Sequence, residues 1–189
     1  DDASLKAEID RMLSDTTHAR ALVETFGAEW LGLGKMQSIT PDPTTYPTFN
    51  DDVRAAMIEE NKRFVLDFLS NGKPIPAMLS ADFNNVNAAL ASYYGMSGVT
   101  GTDFQRVPID GTNRTGGLLT LGAFLAVESN PTRTSSTKRG LYVLDRLLCS
   151  APPPPPTPAP PIAADQPPPA QPPPAAIAPA PKQAVPPPK

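Results

Sequence analysis

Arg133, Lys138 and Arg139 fall within twelve residues, SNPTRTSSTKRG (129–140). Cations set among hydroxyl side chains have the chemistry of an anion site, because guanidinium and ammonium groups donate charge-assisted bonds to phosphate, sulfate or carboxylate oxygens. Arg114 lies in a second candidate stretch, GTNRTGGLL (111–119). Its glycines precede a helix and could present backbone amides to a phosphate. That stretch lacks the lysine and hydroxyl that complete a phosphate loop, and glycines ahead of an apolar helix also permit close packing. The twelve-residue stretch has a structural reading as well. Asn130-Pro131 makes a turn, and Ser135 is placed as N-cap of a helix beginning at Ser136. Arg133 would then sit beside a helix N-terminus, where a cation is unfavourable unless a negative group is close. Glu128 is its expected internal partner; a bound anion or glycan is the alternative.

Other chemistry is sparse. His18 is the sole histidine and stands among Thr16, Thr17 and Arg20, a surface or capping position. No serine lies in a nucleophile-elbow motif for it to serve. Asp51-Asp52 fall at a helix start and Glu59-Glu60 on a solvated helix face, so no catalytic or metal set emerges. Cys149 is the only cysteine. It rules out an internal disulfide, a cysteine-built zinc site and the thiol pair of covalent haem. A partly buried thiol at a helix end is expected there, with a bond to a cysteine of another molecule as the alternative. The net charge of −3 argues against a broad nucleic-acid surface. No apolar run approaches the roughly 18 residues of a membrane span. The chain opens Asp1-Asp2 with no leader, and reads as a processed or excised piece.

Helices must position these residues. Leu5, Ile9, Met12 and Leu13 share one helical stripe, and Ala19, Leu22, Val23, Phe26, Trp30 and Leu33 form another. The next helix has Asn50 as cap, Asp51 and Asp52 at its positive end, and Val53, Met57, Phe64 and Phe68 inward. Gly72 and Pro74 stop it. A shorter helix starts near Asp82, carries Val86, Leu90, Tyr93 and Tyr94, and ends at Gly95. Residues 95–117 read as loop, with Phe104–Ile109 the best place for a strand. Gly117–Val127 is apolar nearly all round, which suggests a buried helix. A last helix, 136–148, should bury Leu141, Leu144, Leu147 and Leu148. The expected fold is all-α, a compact domain of about six helices followed by an extended tail.

That tail, residues 151–189, holds 19 of the 26 prolines and no aromatic residue. It cannot bury enough apolar surface to offset chain entropy. Pro152, Pro153, Pro154, Pro155 and Pro156 form its first run, suited to polyproline II and to aromatic grooves on a partner, or to service as a spacer.

The motifs FGAEWLGL (26–33), FNDDVRAAMIEENKRF (49–64), LSADFNNVNAALASYYGM (79–96) and the long run RTGGLL…PPPPP (114–156) resemble the helical modules called domains of unknown function 1592 and 1588. The likeness covers about residues 3–156. It implies residues 1–100 as the end of a first module and 101–150 as the start of a second, packed as one domain, with 151–189 as tail. Relatives in this family have proline where Ser136 stands, which agrees with Ser135 as cap. The resemblance further implies a periplasmic or extracellular setting beside planctomycete-type cytochrome c domains. It carries no catalytic residues. The reading it favours is a non-catalytic interaction module whose proline-rich tail tethers or docks a protein partner, with any c-type haem located outside this chain. The alternative is one part of a haem redox protein or enzyme acting on an extracellular substrate.

Overall fold

A computed structural model of the chain describes residues 1–109 and 116–153. The chain divides into two units at Pro152, Asp1–Pro152 and Pro153–Lys189, and every element below belongs to the first. Arg114, Pro154, Pro155 and Pro156 lie outside the described residues.

Helix α1 (Asp2–Ser14) is capped by Asp1, and α2 (Thr16–Leu22) by Asp15, whose carboxylate accepts from the Thr17 and His18 amides. The chain then widens into a π-type turn, Val23–Gly27, before the short α3 (Ala28–Trp30). The buried side of this run is Ala19, Val23 and Leu31, whereas Leu22 and Phe26 are exposed. The expected stripe therefore faces the core along a neighbouring line. A 3-10 turn, Leu33–Gln37, and an irregular segment to Phe49 lead into α4 (Asp51–Ser70).

Helix α4 is the axis of the domain. Asn50 Oδ1 accepts from the Val53 amide at 2.9 Å, as its sequence predicts. Val53, Met57, Phe64 and Phe68 are buried. Phe64, Phe68 and Phe83 stack mutually at 5.1–6.0 Å between centroids. Gly72 (φ 58°) ends the helix in the left-handed conformation that glycine adopts without strain.

Residues 82–86 depart from the helical expectation. Strand β1 (Phe83–Val86) pairs antiparallel with β2 (Gln105–Pro108), which lies within the predicted Phe104–Ile109 stretch. Asn84 and Asn85 are weak helix formers, and helix α5 (Ala88–Tyr94) starts only where Asn87 caps the Leu90 amide at 3.0 Å. The domain is thus mostly helical with a two-stranded sheet, and not all-α. Seven α-helices occur among the described residues.

The apolar stretch after Gly117 is a 3-10 turn (Leu118–Thr120) followed by α6 (Gly122–Val127), broken at Leu121 by an extended backbone (ψ 145°). It is buried as expected, with Leu118, Leu121, Ala123 and Phe124 at most 1% exposed. Helix α7 (Ser136–Tyr142) passes into a second π-type turn, Val143–Leu147. Its burial differs from the leucine pattern. Tyr142 is inside, stacked edge-on against Phe124 at 4.8 Å, while Leu141, Leu144 and Leu148 are exposed. The Tyr142 hydroxyl reaches the Trp30 carbonyl at 3.0 Å. Of the four leucines only Leu147 packs, half-buried, against the core.

Candidate functional site

Ser135 caps α7, its Oγ accepting from the Lys138 amide at 3.3 Å. The residues ahead of it form a tight hairpin. Ser129 bridges Thr134, and the Asn130 and Arg133 backbones bond each other, with Asn130 N–H to Arg133 O at 2.8 Å. Two of the three cations of this stretch bond main-chain carbonyls. Lys138 Nζ donates to the Ser129 carbonyl at 2.9 Å, and Arg139 Nε to the Ser135 carbonyl at 3.4 Å. Arg133 is exposed and, among the described residues, pairs with no carboxylate, Glu128 included.

The same hairpin forms one wall of a cleft of about 760 Å³. Ser129, Asn130, Pro131, Thr134 and Lys138 face it from one side, joined by α6. The opposite wall is the irregular segment 38–49, with Tyr46 and Phe49, and Tyr93 and Tyr94 of α5 also line it. Two features hold the irregular wall in place. Arg54, on α4, donates to the Met36 carbonyl and to the Ile39 carbonyl (2.7 Å), and its guanidinium lies 5.0 Å from the Phe49 ring centroid. The Asp42 amide donates to the Pro131 carbonyl at 3.0 Å, tying the two walls together.

Beside the cleft lies a residue that sequence reasoning placed on the surface. Glu60 is fully buried, and its Oε2 accepts from the Tyr94 hydroxyl at 2.7 Å and from the Gly122 amide at 3.2 Å. One carboxylate thereby joins α4, α5 and α6. The approach is possible because residue 122 is glycine. A Cβ there would lie 2.0 Å from the Tyr94 hydroxyl and 2.9 Å from Met57 Cγ. Gly116 is similarly constrained, since a Cβ would meet the Ala81 carbonyl oxygen at 1.8 Å. The glycines around 116–122 serve close entry of an apolar segment. The signal for Glu60 was its spacing of three from buried Met57 and of four from buried Ala56 and Phe64, which puts it beside the apolar face.

Glu59, its neighbour, is the residue on the wet side. Burial pushes its carboxyl up, but the guanidiniums of Arg20 (2.9 Å) and Arg63 (2.7 Å) outweigh that and hold it below the usual range. Burial and the nearby Tyr46 phenol raise the Tyr93 hydroxyl above its ordinary value.

His18 is exposed, with Nδ1 2.8 Å from the Asp15 carboxylate that caps α2. Cys149 is exposed rather than partly buried, at φ 49° after the second π-type turn. A single exposed thiol and a histidine engaged with its helix cap do not fit covalent haem, which needs a thiol pair beside its histidine. No cluster of three metal-ligating side chains occurs among the described residues.

Residues 1–96, just over half of the chain, match the family described as protein of unknown function (DUF1592). The chain belongs to the DUF1592 family. Residues 115–184 match a second family, protein of unknown function (DUF1588), so this likeness runs on past the proline run at 152–156. No curated protein and no solved structure matches. The cleft draws on both stretches: its tyrosines come from the DUF1592 part, its α6 and hairpin wall from the DUF1588 part. No helix among the described residues is long and apolar enough to cross a membrane.

Proposed function

We propose that this DUF1592 chain is a non-catalytic interaction module of a secreted or periplasmic, cytochrome-associated protein. The observation that carries the binding role is the cleft itself. It is open, its walls are fixed by Arg54 and by the Asp42–Pro131 hydrogen bond, and half-buried aromatic rings line it. Preformed clefts of this size with apolar walls and a few polar groups are the usual form of a binding site. The proline-rich tail serves as tether or docking strap, a role that its composition supports. The haem-linked, extracytoplasmic setting rests on the resemblance of the motifs, with haem on another part of the assembly.

The natural protein, purified without denaturant, tests this reading through its intact mass, its co-eluting components and its visible spectrum. The expected result is a defined complex with a Soret band that separates from this chain on denaturation. A protein that elutes alone and shows no Soret absorbance would remove both the partner and the cytochrome setting.

A further inference from the structure

Building on the interaction-module reading, we infer that the cleft between segment 38–49 and α6 is a groove for a polyproline II strand, supplied by the proline-rich region of a second copy of this chain. The cleft has an unusual balance of groups. Among the described residues no carboxylate lines it, although the chain is acidic overall. Tyr46, Tyr93 and Lys35 line it, and among the described residues the two hydroxyls have no hydrogen-bond partner and the ammonium has no ion-pair partner. The cleft therefore combines aromatic faces and cationic or phenolic donors with acceptors that, among the described residues, are neutral hydroxyls and amides and not carboxylates.

That balance selects a ligand class. A sugar carries as many hydroxyl donors as acceptors and is best held where carboxylates accept from it. A proline strand is the reverse. It has no N–H, its carbonyls point outward unpaired, and its rings present apolar faces every turn. Tyrosine supplies both things such a strand needs, a flat apolar body and a terminal donor. The rings are also held before any ligand arrives. Tyr93 meets Phe49 edge-on at 6.2 Å, Phe49 lies under Arg54, and Tyr94 is fixed by Glu60. Binding a stiff strand to a fixed groove costs little ordering entropy on either side.

The occupant is named by the sequence. PPPPP at 152–156 and PPP at 167–169, 172–174 and 186–188 have this acceptor-only, apolar chemistry. A second copy brings four such runs, which raises the effective concentration of strand near each groove.

The test uses the full chain in sedimentation velocity over a concentration series, with a synthetic peptide of residues 151–162 (APPPPPTPAPPI) as competitor. Concentration-dependent association is expected, weakened about tenfold by Tyr93→Ala, which is about 1.4 kcal/mol. Tyr46→Phe, which removes one donor from a half-exposed ring, should weaken it severalfold with an unchanged melting temperature. Excess peptide should disperse the assembly and shift the Tyr46 and Tyr93 resonances, and a peptide with alternate prolines replaced by alanine should not. A chain that stays monomeric, association indifferent to both tyrosine variants, or a cleft that takes a neutral oligosaccharide in preference to the peptide would each overturn the proposal. If the natural complex is found but these results fail, the groove assignment falls and the interaction-module reading stands.

Discussion

Glu60 shows how much one side chain can organise. A buried carboxylate is costly to desolvate, and hydrogen bonds to it are worth more than bonds between neutral groups. Tyr94→Phe removes the 2.7 Å bond while keeping the ring. It should lower stability by about 1.5–3 kcal/mol, read as a shift in the urea midpoint at constant slope. A midpoint within experimental error of wild type would show that the bond contributes nothing net. Tyr142 offers a pH signature. Burial pushes its hydroxyl up to about 12, above the ordinary value near 10 of an exposed phenol. The folded state holds the proton that the unfolded state loses, so stability is fully present below about pH 10 and falls as pH rises towards 12. Ultraviolet titration of tyrosinate should show a late component near pH 12, and Tyr142→Phe should remove it. The caps Ser135 and Asn50 were legible in sequence because a cap is a local bond, three residues long. Glu60 was not, because its partners stand 34 and 62 residues away.

Elements behave according to how much tertiary contact overrides their local preference. Helix α4 was legible from end to end, since cap, dipole, apolar face and Gly72-Pro74 stop all agree. The stretch 82–87 was not. Val86 keeps helical spacing with Leu90 and Tyr94 beyond it, but the backbone of 83–86 pairs with β2 and the helix is delayed to Ala88. A sheet of two strands leaves almost no alternation to read. The last helix failed differently: of the four leucines that suggested its buried side only Leu147 packs against the core, and Tyr142, bonded to Trp30, is the residue inside. The cleft was the least legible feature, because its tyrosines, hairpin and irregular wall come together only through α4 and α6. Helix α6 yields the element-scale prediction. Gly122→Ala places a methyl group against the Tyr94 hydroxyl and Met57, and overpacking of this kind costs about 1–3 kcal/mol. Since the Gly122 amide also donates to Glu60, the shift should enlarge that cost. A thermal midpoint at or above that of wild type would mean that α6 can move away freely.

Across the whole of Asp1–Pro152, burial is unevenly shared. Helix α1 contributes no buried residue, and Leu5, Ile9 and Met12 stand 62%, 46% and 49% exposed along its length. Exposed ion pairs such as Lys6–Asp10 and Glu8–Arg11 on the same helix are individually weak. A helix of 13 residues without tertiary burial is marginal in water. The core around α4, by contrast, holds residues drawn from nearly every element. Stability should therefore be graded rather than uniform. In native-state hydrogen exchange, α1 amides should exchange through local opening at low free energy, whereas α4 amides from Ala56 to Phe68 should require global unfolding. Replacing Leu5, Ile9 and Met12 together by serine should leave the urea midpoint of the core unchanged within about 0.5 kcal/mol. It should also reduce binding of a hydrophobic dye, because the stripe exposes three large apolar side chains along one helix. Protection of α1 equal to that of α4, or a large loss of core stability in the triple variant, would show instead that α1 is an integral part of the folding unit. In that event the exposed stripe would be stabilising the domain through the unfolded chain or through self-association, and dilution of the sample would separate those two causes.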